Sequence, residues 1–213
     1  MASGKTAVGL RLARELGYRL VDTGMMYRAA TSLALERGVD LLDEAALTAL
    51  AEAAKIELGQ PDEDGVVRLK IDGADVTERL REPEVDRNVS LVSRVAGVRR
   101  AMVKRQRELA DHGRLIMLGR DIGSVVLPDA PVKVYLDASP SERARRRHLE
   151  LKENGVERPQ AEILRELEQR DEMDRQRHVS PLRPADDAIV IDTDNLSLEE
   201  VIERVRAVAG AAS

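Results

Sequence analysis

Near the start of the chain, Ser3-Gly4-Lys5-Thr6 is the closing half of a phosphate-binding loop of pattern G-x-x-x-x-G-K-[ST]. In such a loop the backbone N–H groups cradle phosphates, the lysine reaches the β- and γ-phosphates, and the hydroxyl ligates Mg²⁺. Ala7, Val8, Leu10, Leu12, Ala13 and Leu16 follow at helical spacing, and Gly17 supplies a stop. The pattern predicts a helix that starts at the loop and turns its positive end towards an anion. Gly-Lys-Thr is also a common tripeptide, so other residues must decide whether a nucleotide site exists.

Arginines are the next candidates. Asp22-Thr23-Gly24-Met25-Met26-Tyr27-Arg28 can place Tyr27 and Arg28 on the first turn of a second helix, where a guanidinium can fork onto two phosphate oxygens. The helix after Pro159 sets Arg170, Asp174 and Arg177 at i, i+4 and i+7 on one face. An isolated triplet of that kind is ordinarily a surface ion-pair ladder. This one follows an arginine-dense segment ending at Asn154-Gly155, which has the form of a closing lid. Arg94, Arg99, Arg100, Lys104, Arg105 and Arg107 make one basic cluster, and Arg143, Arg145, Arg146 and Arg147 another. Such runs are ordinarily solvated helix faces; a polyphosphate pocket is the sharper reading. His112, His148 and His178 have no metal-ligand spacing.

The elements that must position these groups are legible in outline. Apolar runs at Tyr18–Val21, Leu115–Leu118, Val132–Leu136 and Ala188–Ile191 alternate with helical patterns, which predicts a parallel sheet with helices on both faces. In open parallel sheets ligands sit beyond the carboxyl ends of the strands. Asp22-Thr23-Gly24, Gly119-Arg120-Asp121 and Asp137-Ala138-Ser139 all fall at that edge. Ser139-Pro140-Ser141-Glu142 and Ser197-Leu198-Glu199-Glu200 read as capped helix starts. Across Lys55–Val76 the rhythm changes: Val67, Leu69 and Ile71 alternate with polar residues, and Asp64-Gly65 and Asp72-Gly73 mark turns. A small antiparallel sheet is expected there, too short to stand alone.

Composition sets limits. With 213 residues the chain fits one domain with a small insertion. Phe, Trp and Cys are absent, so the core must be aliphatic, and disulfides, thiol catalysis and cysteine-bound metals are excluded. A formal charge of −5 argues against bulk nucleic-acid binding. No apolar run approaches the roughly 20 residues of a membrane span and no signal peptide is visible; a soluble, cytoplasmic protein is expected.

Taken in order, these segments resemble the bacterial-type cytidylate kinases of the nucleoside monophosphate kinase group. The resemblance is carried by Asp22 to Arg28, by Val98-Arg99 through Lys104-Arg105-Gln106-Arg107, and by Gly119-Arg120-Asp121-Ile122-Gly123. Pro128 to Lys133, Leu136 to Ser139, and Arg170-Asp171 through Asp174-Arg175-Gln176-Arg177 complete it. It implies a three-layer α/β P-loop kinase fold over residues 1–213, with an acceptor-side insertion at 55–80 and a lid at 143–177. It implies transfer of the ATP γ-phosphoryl group to CMP or dCMP by a monomer that binds no nucleic-acid polymer. Ser3, Gly4, Lys5 and Thr6 would hold ATP phosphates, with Thr6 on Mg²⁺, and Arg146 and Arg147 would lie on the lid. Arg28 and Arg120 would grip the acceptor phosphate, with Thr23 and Tyr27 beside it. Ser90, Arg99 and Asp121 match cytosine-reading positions, and Arg170, Asp174 and Arg177 match sugar and phosphate contacts.

The same family begins with a hydrophobic strand, central in its sheet, and Gly-Pro before the loop. Neither is in this sequence. Reading Gly-Pro-Met1-Ala2-Ser3-Gly4-Lys5-Thr6 restores the loop spacing, which predicts an in-frame apolar strand ending in Gly-Pro upstream. The competing expectation is a shortened protein without full ATP binding, acting as a nucleotide-binding or interaction protein. A kinase for UMP, AMP or shikimate is a third.

Overall fold

The computed structural model describes residues 3–62, 67–176 and 182–211. By its internal contacts the chain falls into two compact units, Met1–Leu12 with Gly123–Ser213, and Ala13–Ile122. The first helix, α1 (Lys5–Leu16), runs across that division. It starts after Gly4, whose φ of +84° is open to glycine at little cost. At its end Gly17 takes φ +63°, and the Tyr18 amide bonds back to the Ala13 carbonyl at 2.9 Å, the left-handed C-terminal cap that the sequence predicts.

In the unit Ala13–Ile122, strand β1 (Arg19–Asp22) pairs in parallel with β5 (Leu115–Leu118). The register sets Asp22 opposite Leu118, so both strands deliver their following residues to one edge. Helix α2 (Thr23–Glu36) starts directly from β1, and Asp22 caps it by accepting from the Gly24 amide at 2.9 Å. Then come α3 (Glu44–Ala53), the antiparallel strands β2 (Ile56–Pro61), β3 (Val67–Ile71) and β4 (Ala74–Asp75), a short 3₁₀ turn at Arg79–Arg81, and helices α4 (Pro83–Ser93) and α5 (Ala96–Ala110).

The predicted alternation in β3 is exact: Val67, Leu69 and Ile71 are buried while Arg68 and Lys70 are exposed. Asp72 and Gly73 both take positive φ in the β3–β4 turn, the backbone a two-residue hairpin requires. The Asp64-Gly65 turn lies outside the described residues. Leu69, Ile71 and Val76 join Met26, Leu33, Leu47, Val89, Val98 and Met102 in one apolar cluster, so the small sheet gains its support from the helices around it. Full burial of a side chain such as Leu69 is worth about 1.5–3 kcal/mol.

In the other unit, β6 (Val134–Asp137) pairs in parallel with β7 (Ile189–Asp192). Helices α6 (Pro140–Glu153) and α7 (Gln160–Arg175) form a hairpin that turns at Asn154-Gly155 and packs Ala144 against Ile163 and Leu167. A buried ion pair joins them, Arg143 Nη2 to Asp171 Oδ2 at 2.6 Å. Helix α8 (Leu198–Ala211) follows, with Val201 and Ile202 buried.

The two capping motifs differ in outcome. Before α8 the box closes reciprocally: the Glu200 amide donates to Ser197 Oγ at 3.2 Å, and the Ser197 amide to Glu200 Oε2 at 2.8 Å. Before α6 only half forms. Ser139 Oγ accepts from the Glu142 amide, but Arg145 and Arg146 draw the Glu142 carboxylate away, and the Ser139 amide bonds Asp194 instead.

The described strands therefore make three separate sheets, β1–β5, β2–β3–β4 and β6–β7, within a mixed α/β chain. Among the described residues no helix is long and apolar enough to cross a membrane.

Candidate active site

The carboxyl ends of β1 and β5 carry a group of polar residues in the unit Ala13–Ile122. Thr23, the first residue of α2, is buried and donates from Oγ1 to the Leu118 carbonyl at 2.9 Å. This bond ties the end of one strand to the end of its neighbour. Gly119 permits it by lacking a side chain: a Cβ there would lie 2.5 Å from Thr23 Oγ1 and 2.5 Å from Ile122 Cδ1. Thr23, expected at the substrate, thus spends its proton on the scaffold. Gly119 is followed at once by Arg120, half-buried, and Asp121, buried.

Asp121 meets Arg99, which comes from the first turn of α5. Arg99 is 2 % exposed and Asp121 7 %. Arg99 Nη2 donates to Asp121 Oδ2, and Nη1 to the Ser93 carbonyl at 3.1 Å. The guanidinium carbon stands 5.3 Å from the centroid of the Tyr27 ring, close enough for the ring face to favour the cation. Three predicted site residues from three elements are thereby assembled. Arg99 Nε has no hydrogen-bond partner among the described residues, and the second Asp121 oxygen is not spent on Arg99. Among the described residues the pair therefore leaves one buried donor, Arg99 Nε, without a partner.

Arg28 lies one residue after Tyr27 and is half-buried. Its Nη1 donates to the Leu80 carbonyl at 3.1 Å and its Nη2 to Asp86 Oδ1 at 2.6 Å. The guanidinium expected to fork onto a phosphate already holds a carboxylate. Asp86 was not singled out by the sequence; the available signal is its place on α4 four residues before Ser90, on the same helix face. Ser90 is half-buried.

In the other unit, Gly4, Lys5 and Thr6 form the start of α1, with Lys5 half-buried and Thr6 exposed. The Val8 amide closes the first turn onto the Gly4 carbonyl at 3.0 Å. The lid candidates are anchored rather than loose. Arg146 bonds Glu142 at 2.9 Å and holds Thr193 twice, by Nη1 to its hydroxyl at 3.1 Å and Nη2 to its carbonyl at 2.5 Å. Arg147 pairs with Glu150 at 2.7 Å. Hydrogen bonds from Arg145, then from Arg146, hold the Glu142 carboxyl down to about 2. On α7, Asp174 is fully buried and Arg170 half-buried, which rules out a solvated ladder for that face. Arg177 lies outside the described residues.

Several members of the basic clusters prove to be scaffolding. Arg105 donates to the Ala51 and Glu52 carbonyls at the end of α3, satisfying carbonyls that a helix terminus leaves open.

The family model described as cytidylate kinase matches residues 1–210. This chain belongs to the cytidylate kinase family. It is accordingly a phosphotransferase of the kinase type. The cytidylate kinase of Bacillus licheniformis is 48% identical over 204 residues, covering 96% of this chain and 90% of that protein. That of Pelotomaculum thermopropionicum is 45% identical over 203 residues, covering 95% and 89%. That of Bacillus velezensis is 47% identical over 204 residues, covering 96% and 90%.

Proposed function

We propose that this member of the family transfers the γ-phosphoryl group of ATP to CMP or dCMP, releasing ADP and CDP or dCDP. The observation that carries the acceptor assignment is the buried Arg99–Asp121 pair at the carboxyl edge of β5. Cytosine offers an amino donor at N4 and acceptors at N3 and O2. A carboxylate oxygen of Asp121 suits the amino group, and a guanidinium N–H of Arg99 suits N3 or O2. Uracil reverses the pattern at N3 and position 4, so buried groups would go unpaired at a cost of about 1–3 kcal/mol. Ser90 adds a hydroxyl on the neighbouring helix face.

Arg28 and Arg120 hold the acceptor phosphate, with Tyr27 behind it supporting Arg99. Arg170, Asp174 and Arg177 serve the sugar and the transferring phosphate. No general base is required, because the attacking oxygen belongs to an ionised phosphate. The protein's task is alignment and positive charge around the equatorial oxygens. Lys5 and the start of α1 hold the ATP phosphates, with Ser3, Gly4 and Arg146 alongside, and Arg147 covers them from α6.

Among the described residues no group of three or more His, Cys, Asp or Glu could cage a metal ion. Mg²⁺ is ordinarily held by one or two protein oxygens together with substrate phosphates and water; the Thr6 hydroxyl would supply one such oxygen. When bound, the ion would offset negative charge on the donor phosphates.

The test is a coupled ADP-release assay across CMP, dCMP, UMP, AMP and shikimate. Selective turnover of CMP and dCMP is expected, with Arg120→Ala lowering kcat/KM by about 100-fold while the protein stays folded. Turnover of another acceptor in their place, or none from folded protein, would refute the assignment.

A further inference from the structure

Asp86 has no place in the reaction just described, yet it occupies the guanidinium that the acceptor phosphate needs. Bidentate capture of a phosphate uses two parallel N–H donors. Arg28 offers Nη1, shared with the Leu80 carbonyl, and Nη2, held by Asp86 Oδ1 at 2.6 Å. The pair is open to solvent on one side, with side-chain exposures of 23% for Arg28 and 38% for Asp86, so an incoming anion can reach it. The Leu80 carbonyl accepts from Nη1 at 3.1 Å, an anchor for Arg28 that does not involve the Asp86 carboxylate.

We propose that Asp86 is an internal stand-in for the acceptor's phosphate, a specificity-determining residue that shields Arg28 until a more highly charged anion displaces it. The reasoning is one of exchange. A carboxylate brings one charge on two oxygens; a phosphate monoester brings about −1.5 to −2 on three. The monoester therefore gains on replacing Asp86, while an unphosphorylated nucleoside gains nothing and a singly charged anion only breaks even. The benefit is selectivity, and its cost is affinity. Every acceptor must first break the Arg28–Asp86 bond, so the pair raises KM for CMP. A purely structural ion pair predicts the opposite sign, because its loss would loosen Arg28 and weaken CMP binding.

The inference rests on Arg28 as acceptor-phosphate ligand, and the experiment separates the two claims. Asp86→Asn and Asp86→Ser are compared with the parent chain by coupled assay and by calorimetric titration of CMP. Unfolding curves confirm that each variant is folded. Expected is a KM and a Kd for CMP lower by up to about fivefold, the range of a half-exposed ion pair, with kcat changed by less than about twofold. Asp86→Glu, which restores the charge, is expected to return both towards the parent values. In an Arg28→Ala background Asp86→Asn is expected to have no effect on CMP. Unchanged or raised KM and Kd in both Asp86 variants, or an equal fall without Arg28, would overturn the shielding role and leave the kinase assignment standing. Absence of CMP turnover and of CMP binding in the folded parent would overturn both.

Discussion

The Arg99–Asp121 pair gives the sharpest test of how stability and specificity are divided. Asp121→Asn keeps the shape and one oxygen acceptor but removes the charge beside a guanidinium that is 2 % exposed. Breaking a buried ion pair by removing one partner costs about 3–5 kcal/mol, because the remaining charge is stranded in a poorly polarisable site. Two contacts on Arg99 survive, the bond to the Ser93 carbonyl and the face of Tyr27, which place the cost near the lower end, about 3 kcal/mol. In a protein of this length each kcal/mol moves the midpoint by roughly 2–4 °C, so a fall of about 6–12 °C is expected. The double variant Arg99→Met with Asp121→Leu removes both charges and refills the space with apolar atoms. It should recover to within about 1–2 kcal/mol of the parent and yet have no CMP turnover. Thermal and urea unfolding measure the first quantity, and the coupled assay with CMP and UMP the second. An unchanged midpoint for Asp121→Asn, a double variant less stable than the single, or one that still turns over CMP would refute the reasoning.

Gly119→Ala should drive a methyl group into Thr23 and Ile122 and break the Thr23–Leu118 bond. The expected cost is about 1–3 kcal/mol, together with a raised KM for CMP as Arg120 and Asp121 shift; a variant of parental stability and KM would show that the strand-end tie is dispensable. Glu142 is ionised down to about pH 2 in the folded chain against an ordinary 4.5. Its contribution is therefore complete above about pH 4.5, declines as the unfolded chain takes up the proton below that, and is gone below about 2. Urea midpoints of the parent and Glu142→Gln should differ at pH 6 and converge as pH is lowered from 4.5 towards 2; a difference that grows in acid would reverse the assigned sign.

The edges of elements show what local sequence can carry. Strand β5 is found at the predicted Leu115–Leu118. Strands β1, β6 and β7 each end one residue later than their apolar runs, on Asp22, Asp137 and Asp192. The ladder is made by backbone groups, so it continues onto a polar residue after the apolar run has ended. These aspartates then turn to local work: Asp22 caps α2, and Asp137 and Asp192 accept from amides within two residues. Within the candidate site, the residue types were readable at Thr23, Tyr27, Arg28, Arg99, Arg120 and Asp121, with Thr23, Arg120 and Asp121 just beyond the ends of β1 and β5. The bonds they make were not. Asp86 was not legible because its partner Arg28 lies 58 residues away in the chain, and its spacing to Ser90 on α4 is the one local signal.

Residue types and their order set the chemistry available to this protein: a lysine and a hydroxyl at a helix start, an arginine and a carboxylate beyond a strand end, an aliphatic core, and the order of motifs that marks the family. Tertiary structure decided which charge meets which. Arg28 reaches Asp86, Arg99 reaches Asp121 and Arg143 reaches Asp171 across 58, 22 and 28 residues of chain. Helical periodicity constrains side chains only three or four residues apart. Beyond that range a guanidinium takes the carboxylate that packing brings to it, and burial gives the pairing its strength.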